Sequence, residues 1–253
     1  MNINMNYYQW MYESDVKRII SAKPTFIIAN SPAGPWKSNA DIKRFQDAGI
    51  KYLEYLDGGY EGTKKGDIPN DLQSNLNFLS AIKDAGANGF YLDQVSSNVF
   101  GTGYGSGYLQ AISKRAYELG LTGVFNVGVA YWADELTNLC DFISSSESWR
   151  GEALSPSQSK WKSKTWLLSK NTPDLLEAVR LSNAARVAGI AAHYACPDEF
   201  YKVLPDWFED YLAYTHNAPI LTIPDGGLLL DKAGVDKLKA IRDLADGLLK
   251  EVK

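Results

Sequence analysis

Short apolar runs and longer segments of helical period alternate along the whole chain, and this alternation constrains the fold more than any other feature. Eight runs rich in β-branched and aromatic residues read as strands: 25–30 (TFIIAN), 51–56 (KYLEYL), 89–93 (GFYLD), 123–127 (GVFNV), 141–145 (DFISS), 165–169 (TWLLS), 189–194 (GIAAHY) and 219–223 (PILTI). Helical segments fall between them at 38–48, 70–85, 108–119 and 173–188, and 231–252 closes the chain. Three of the helices stop at a glycine, Gly49, Gly86 or Gly120, with a strand a few residues later, which is how a helix turns back into a parallel strand. The segment 173–188 follows Thr172-Pro173, an N-cap type with a proline at the first helical turn.

Strand and helix repeated eight times in 253 residues predict a single-domain α/β fold, a closed (β/α)8 TIM barrel over 1–253. An open doubly wound sheet would need a phosphate-binding fingerprint, and no GxGxxG follows the first run, which ends Asn30-Ser31-Pro32-Ala33-Gly34-Pro35. Residues 1–21 read as an N-terminal helical extension that plugs the bottom of the barrel or leans on its side.

Composition narrows the function. A net charge of −4 without clustered Lys and Arg argues against a nucleic-acid partner. Two histidines, His193 and His216, are too few for most metal-dependent hydrolases. No metal or organic cofactor is expected. The two cysteines, Cys140 and Cys196, have no CxxC spacing and read as plain buried residues. No window approaches the ~18 apolar residues of a membrane span. The start MNINMNYYQW lacks a signal-peptide pattern, so the protein is cytoplasmic or the sequence begins after a removed signal; a monomer is expected.

A barrel of this type carries its site at the carboxyl ends of the strands. Read off the runs, those ends present Asn30; Glu54, Tyr55, Asp57 and Tyr60; Tyr91, Asp93 and Gln94; Asn126; Glu147 and Trp149; Lys170; His193, Tyr194 and Asp198; and Asp225. Carboxylates, amides and aromatic rings suit the hydroxyls and flat faces of sugars, and a pair of carboxyls is the usual machinery for cutting a glycosidic bond. Asp93, ending the run GFYLD, and Glu147, in SSSESW, are the leading pair; each also has a plain reading, as a turn cap or a solvated loop residue. A Glu147 buried beside Trp149 would have its charged form disfavoured, as a general acid requires. Glu54, mid-strand, points either into the barrel or toward a ligand. Asp57 and Asp225 precede glycines and serve a turn equally well, and Asp198 either lines the site or caps the next helix. Lys170 offers a different chemistry, a Schiff base.

These residues sit in segments that resemble the spherulin-4-like glycoside hydrolases and, more distantly, the endo-α-1,4-polygalactosaminidase barrels. IIANSPAGP, AGIKYLEYLDGGYEG, AGANGFYLDQV, FNVGV with CDFISSSESW, and HYACPDEFYKVLPDWFEDYL are similar to successive segments of that family, in its order, over most of 25–212. The resemblance implies endo-hydrolysis of a polysaccharide containing galactosamine or N-acetylgalactosamine, with Asp93 and Glu147 on the acidic positions and an extracellular or cell-surface setting. The residues themselves fit a retaining or substrate-assisted route with Asp93 as nucleophile or electrostatic partner and Glu147 as acid/base, or with the two roles exchanged. Asn30, Glu54, Tyr55, Asp57, Tyr60, Tyr91, Gln94, Asn126, Trp149, Lys170, Tyr194 and Asp198 are then the candidate substrate-binding residues. The chain departs from the family pattern at Gln94, where Glu is frequent, at Val127, which stands in Asn-Pro-Gly, and at Glu54, which replaces Gly. Gln94 favours an alternative, a weak or inactive carbohydrate-binding barrel, and Lys170 a second one, a Schiff-base lyase or aldolase.

Overall fold

A computed structural model describes residues 1–7, 12–29, 39–59, 72–97, 105–199 and 201–217. The chain divides into two units, Met1–Ile220 and Leu221–Lys253, and the described residues all belong to the first. Eight parallel strands, paired in sequence order, close into a barrel: β1 (Asn2–Tyr7), β2 (Phe26–Ala29), β3 (Lys51–Asp57), β4 (Gly89–Asp93), β5 (Thr122–Asn126), β6 (Phe142–Ser146), β7 (Thr165–Ser169) and β8 (Ala192–Ala195). The helices are α1 (Glu13–Ala22), α2 (Asn39–Asp47), α3 (Leu72–Asp84), α4 (Gly105–Leu119), α5 (Pro156–Lys160), α6 (Leu175–Val187) and α7 (Phe208–Asn217), with a 3-10 turn at Asp134–Asn138.

This is the expected (β/α)8 fold, with one correction to its start. The residues read as an N-terminal helical extension begin instead with the first barrel strand, and only Glu13–Ala22 is helical. β1 closes the barrel by pairing with both β2 and β8. The physical signal is the alternation Asn-Ile-Asn-Met-Asn-Tyr at residues 2–7, a period of two that no helix needs. The run 219–223, read as the last strand, and the helix 231–252 lie outside the described residues. The other seven runs are β2 to β8, with ends shifted by up to three residues. Helix α6 likewise begins later than its Thr-Pro signal, because the Asp174 carboxylate accepts from the Glu177 amide and caps it. The helix-ending glycines behave as the sequence predicts: Gly49, Gly86 and Gly120 have φ of 83°, 92° and 64°, the left-handed conformation that turns a helix end toward a strand.

Strands buried on both faces explain the unbroken apolar runs FIIA and TWLLS, which carry no period-two polarity. Inside the barrel, Phe26, Ile28, Leu53, Tyr91, Val124, Trp166 and Ala192 form one cluster. Its centre is aromatic: the Phe26 and Phe142 rings each lie 5.0 Å from the Trp166 ring. Outside, a larger layer packs strand residues such as Tyr52, Phe90 and Phe125 against helix residues such as Phe45, Leu79, Leu109 and Ile112. Arg18 of α1 makes a two-pronged ion pair with Glu209 of α7, 2.6 and 2.7 Å, joining the first described helix to the last.

The outer layer also holds a polar element. His193 of β8 is fully buried, with Nδ1 2.7 Å from Ser182 Oγ of α6. Burial pushes its pKa down from 6.5 to about 3. The unfolded chain therefore binds a proton in this window that the folded chain refuses, and stability drops as pH falls from 6.5 toward about 3. We expect His193→Gln to remove a slope of at most about 1.4 kcal/mol per pH unit from that acid limb. Denaturant unfolding at a series of pH values measures it; parallel profiles for variant and wild type would contradict the assignment.

Candidate active site

Consecutive strands each bring one polar or aromatic group to the carboxyl end of the barrel. They are Tyr55 of β3, Asp93 at the end of β4, Asn126 at the end of β5, Glu147 just past β6, Lys170 just past β7, and Tyr201 in the loop after β8. Register explains the first three. Tyr55 pairs with Tyr91, and Asp93 comes two residues later on the same face of β4. Asn126 is likewise two residues past Val124, an interior residue.

The centre of the group is the Asn126 side chain. Its Nδ2 donates to Asp93 Oδ1 at 2.6 Å and to Glu147 Oε1 at 2.8 Å. Its Oδ1 accepts the Gly128 amide at 3.1 Å, which fixes which end of the amide faces the carboxylates. Both acid oxygens are held by one nitrogen, so they lie less than about 5.4 Å apart, short of the ~6.5–9.5 Å that separates the carboxyls of inverting glycosidases.

The two carboxylates have different surroundings. Asp93 is the more enclosed: burial raises its pKa above the usual Asp value, opposed by hydrogen bonds from the Tyr55 hydroxyl at 2.6 Å, from Asn126 and from the Gln94 amide. Tyr55 is pushed up in turn, by burial first and then by Asp93, and so remains a phenol donor. Glu147 keeps partial solvent contact and accepts from Lys170 Nζ at 2.5 Å. The same ammonium lies 5.2 Å from the Tyr201 ring centroid. Burial raises the Tyr201 hydroxyl well above its ordinary value, with the Glu147 charge adding to the effect.

The backbone around the site is unusual. Among the described residues, four non-glycine positions have positive φ, and three of them, Gln94, Asn171 and Tyr201, adjoin or belong to this group. Such conformations cost about 1–3 kcal/mol each and concentrate where surrounding structure must hold a group in place. Gly58 supports the same point: its amide donates to the Asp93 carbonyl at 2.9 Å, and a Cβ there would stand 2.6 Å from that oxygen.

Several sequence expectations are redistributed. Tyr91 is fully buried beneath Tyr55, rings 6.4 Å apart, and its hydroxyl donates to Ser144 Oγ at 3.0 Å; it is floor rather than lining. Glu54 points outward, on the face of Tyr52 and Leu56, and accepts from the Tyr52 hydroxyl at 2.8 Å. Its neighbours Leu53 and Tyr55 take the interior face, so strand alternation removes Glu54 from the mouth. Trp149 is 2% exposed and packs with Leu167, Leu181, Ala185 and Ile190 between strand and helix. The expectation that Trp149 buries Glu147 is therefore corrected: the enclosed carboxyl is Asp93, and Glu147 faces Lys170. Tyr194 is fully buried and offers no open face. Asp57 stands in register with Asp93, but its Oδ1 accepts the Gly59 amide and closes a turn. Asp198 accepts from the Cys196 thiol and the Lys202 amide, bracing the loop that carries Tyr201. Gln94 contributes its backbone amide to Asp93. Asn30, Tyr60 and Asp225 lie outside the described residues. The sequence reading passed over Tyr201, because it comes from a loop six residues beyond the end of β8.

Both cysteines are free thiols. Among the described residues no group of three or more His, Cys, Asp and Glu could hold a metal ion, and no helix is long and apolar enough to cross a membrane.

No protein-family model matches the chain, and no curated protein matches it in sequence. Solved structures do share its fold. A chitinase from Chromobacterium violaceum superposes with a TM-score of 0.59 at 9% identity, over 87% of this chain and 100% of that one. YKL-39, solved in the presence of chitooligosaccharides, gives the same values. An L-ribulose 3-epimerase has a TM-score of 0.52 at 12% identity, over 100% of this chain and 98% of that one. At such identities these likenesses establish the (β/α)8 fold.

Proposed function

We propose that this barrel is a retaining, endo-acting glycoside hydrolase that cleaves a polysaccharide containing galactosamine or N-acetylgalactosamine. The observation that carries the reading is the single Asn126 amide bridging Asp93 and Glu147. Two of the structural neighbours are a chitinase and a protein solved with chitooligosaccharides, which agrees with an amino-sugar substrate. The resemblance to the polygalactosaminidase barrels supplies the particular sugar.

The surroundings of the two acids divide the work. Asp93, whose protonated form burial favours, donates its proton to the departing glycosidic oxygen. Glu147, which accepts from both Lys170 and Asn126, forms the bond to the anomeric carbon. Asp93, now ionised and held by Tyr55 and Asn126, takes a proton from the water that releases the sugar. Of the two role assignments that the sequence leaves open, this is the one with Asp93 as the acid.

Activity then requires Asp93 protonated and falls as pH rises through its pKa. The Tyr55 hydrogen bond lowers that pKa, so Tyr55→Phe is expected to move the alkaline limb of kcat/KM to higher pH. An unmoved or lowered limb would assign the proton to another group.

Release of reducing ends from a panel of amino-sugar polymers, with Asp93→Asn as control, tests the function. Binding of a polymer without release would assign a carbohydrate-binding barrel instead. The position of Lys170 in the same cleft supports a second reading, a Schiff-base lyase, which requires a borohydride-stable substrate adduct on Lys170.

A further inference from the structure

His193 lies on the outer side of the barrel wall, yet hydrogen bonds connect it to the segment that carries Glu147, and they run in one direction. Ser169 Oγ lies 2.6 Å from the Trp149 carbonyl oxygen, which can only accept, so the single Ser169 proton points there. The same Oγ is 2.9 Å from His193 Nε2, so Nε2 bears the hydrogen and donates. Burial keeps the ring neutral, which leaves Nδ1 to accept from Ser182 Oγ at 2.7 Å. Ser182, its proton committed, accepts from the Tyr211 hydroxyl at 2.6 Å. Tyr211 accepts from the Ala195 amide at 3.3 Å. Every group in the chain donates once toward the Trp149 carbonyl, and all the side chains involved are buried.

That carbonyl belongs to the return segment behind Glu147. The β6–β7 register shifts between Ser144 and Ser146, and beyond it the chain doubles back in an antiparallel bridge, Ser148 against Ser169. The Trp149 amide donates to the Leu168 carbonyl at 3.0 Å and the Lys170 amide to the Glu147 carbonyl at 3.4 Å. The segment 147–149 thus lies outside the regular ladder. The Ser169 hydroxyl adds a side-chain tie from β7 to the backbone of this segment, beside the lysine that pairs with Glu147.

We propose that His193 is a positioning residue for Glu147, acting through Ser169 and the Trp149 carbonyl from outside the barrel. The proposal rests on the reading of Glu147 as a reacting carboxylate. Its contribution is orientation: the imidazole commits the Ser169 proton to the carbonyl, and that bond holds the backbone from which Glu147 reaches Asn126 and Lys170.

Two isosteric variants separate positioning from mere packing. Asn at 193 keeps an acceptor where Nδ1 stands but loses the donor to Ser169. Gln keeps a donor where Nε2 stands but loses the acceptor for Ser182. Both break one buried hydrogen bond, so both are expected to lower Tm by similar amounts. His193→Asn is expected to lower kcat about tenfold or more with KM changed less than about twofold, whereas His193→Gln retains kcat within about twofold. A readout independent of hydrolysis is the NMR signal of the Lys170 ammonium. It should weaken or shift in His193→Asn as the pair with Glu147 loosens, and match wild type in His193→Gln. If His193→Asn does not fold, Ser169→Ala, which removes the same final link, carries the test with the same expectation. Equal kcat and equal Lys170 signals in the two isosteric variants would overturn the proposal. If the wild-type protein cleaves no polymer, the Lys170 signal still decides it, so its failure is distinguishable from failure of the hydrolase reading.

Discussion

Asp93→Asn is expected to lower polysaccharide hydrolysis by at least about a hundredfold while leaving the barrel folded, and Glu147→Gln to do the same. The size follows from the proposed roles: one variant would remove the proton destined for the leaving oxygen, the other the oxygen that attacks the anomeric carbon. The stability half of the expectation is equally specific for Asp93. Burial disfavours its charge, so a neutral isostere at this position relieves a cost, and Tm should hold or rise. Lost activity with an unchanged or higher Tm marks a group kept for chemistry at the expense of stability. Initial rates of reducing-end release and thermal unfolding on the same samples measure both. Undiminished activity in both variants would remove the carboxylate pair from the mechanism.

Gly89→Ala is expected to damage the fold itself, by about 3 kcal/mol or more. Gly89 opens β4 in register with Leu53 of β3 and Thr122 of β5. A methyl group there would stand 2.1 Å from the Thr122 carbonyl oxygen and 2.8 Å from Leu53 Cδ2. The backbone oxygen cannot rotate away as a side-chain tip can, so the β4–β5 pairing must open or shift. These are the strands that end in Asp93 and Asn126, and a shift at their start is carried to the acids. Urea unfolding should show a lower midpoint, and a wild-type midpoint would show that the strands yield at little cost.

The fold was legible because the barrel repeats one device. A glycine in left-handed conformation ends a helix and an apolar run follows, as at Gly86 before GFYLD, and a parallel barrel buries both faces of each run. Strand β1 escaped because its period-two alternation is short and sits beside an aromatic cluster that reads as helix. At the site, Asp93, Asn126, Glu147 and Lys170 were legible for one reason: each ends or closely follows a strand, and strand ends converge at the mouth. Glu54, Trp149 and Tyr201 were not. Glu54 and Tyr55 are adjacent, and only the phase of β3, set by its partners, decides which faces inward. Trp149 is turned outward by the irregularity of β6, which no propensity announces. Tyr201 depends on a loop braced by Asp198, a tertiary contact without a sequence period.

Asp93 and Glu147 are proposed to act on one glycosidic bond from positions too close to admit a water between them. The anomeric configuration of the first product, followed by proton NMR during hydrolysis of a defined amino-sugar oligomer, tests it most directly. Retention of the substrate's configuration is the predicted result; a product formed with inversion would contradict it.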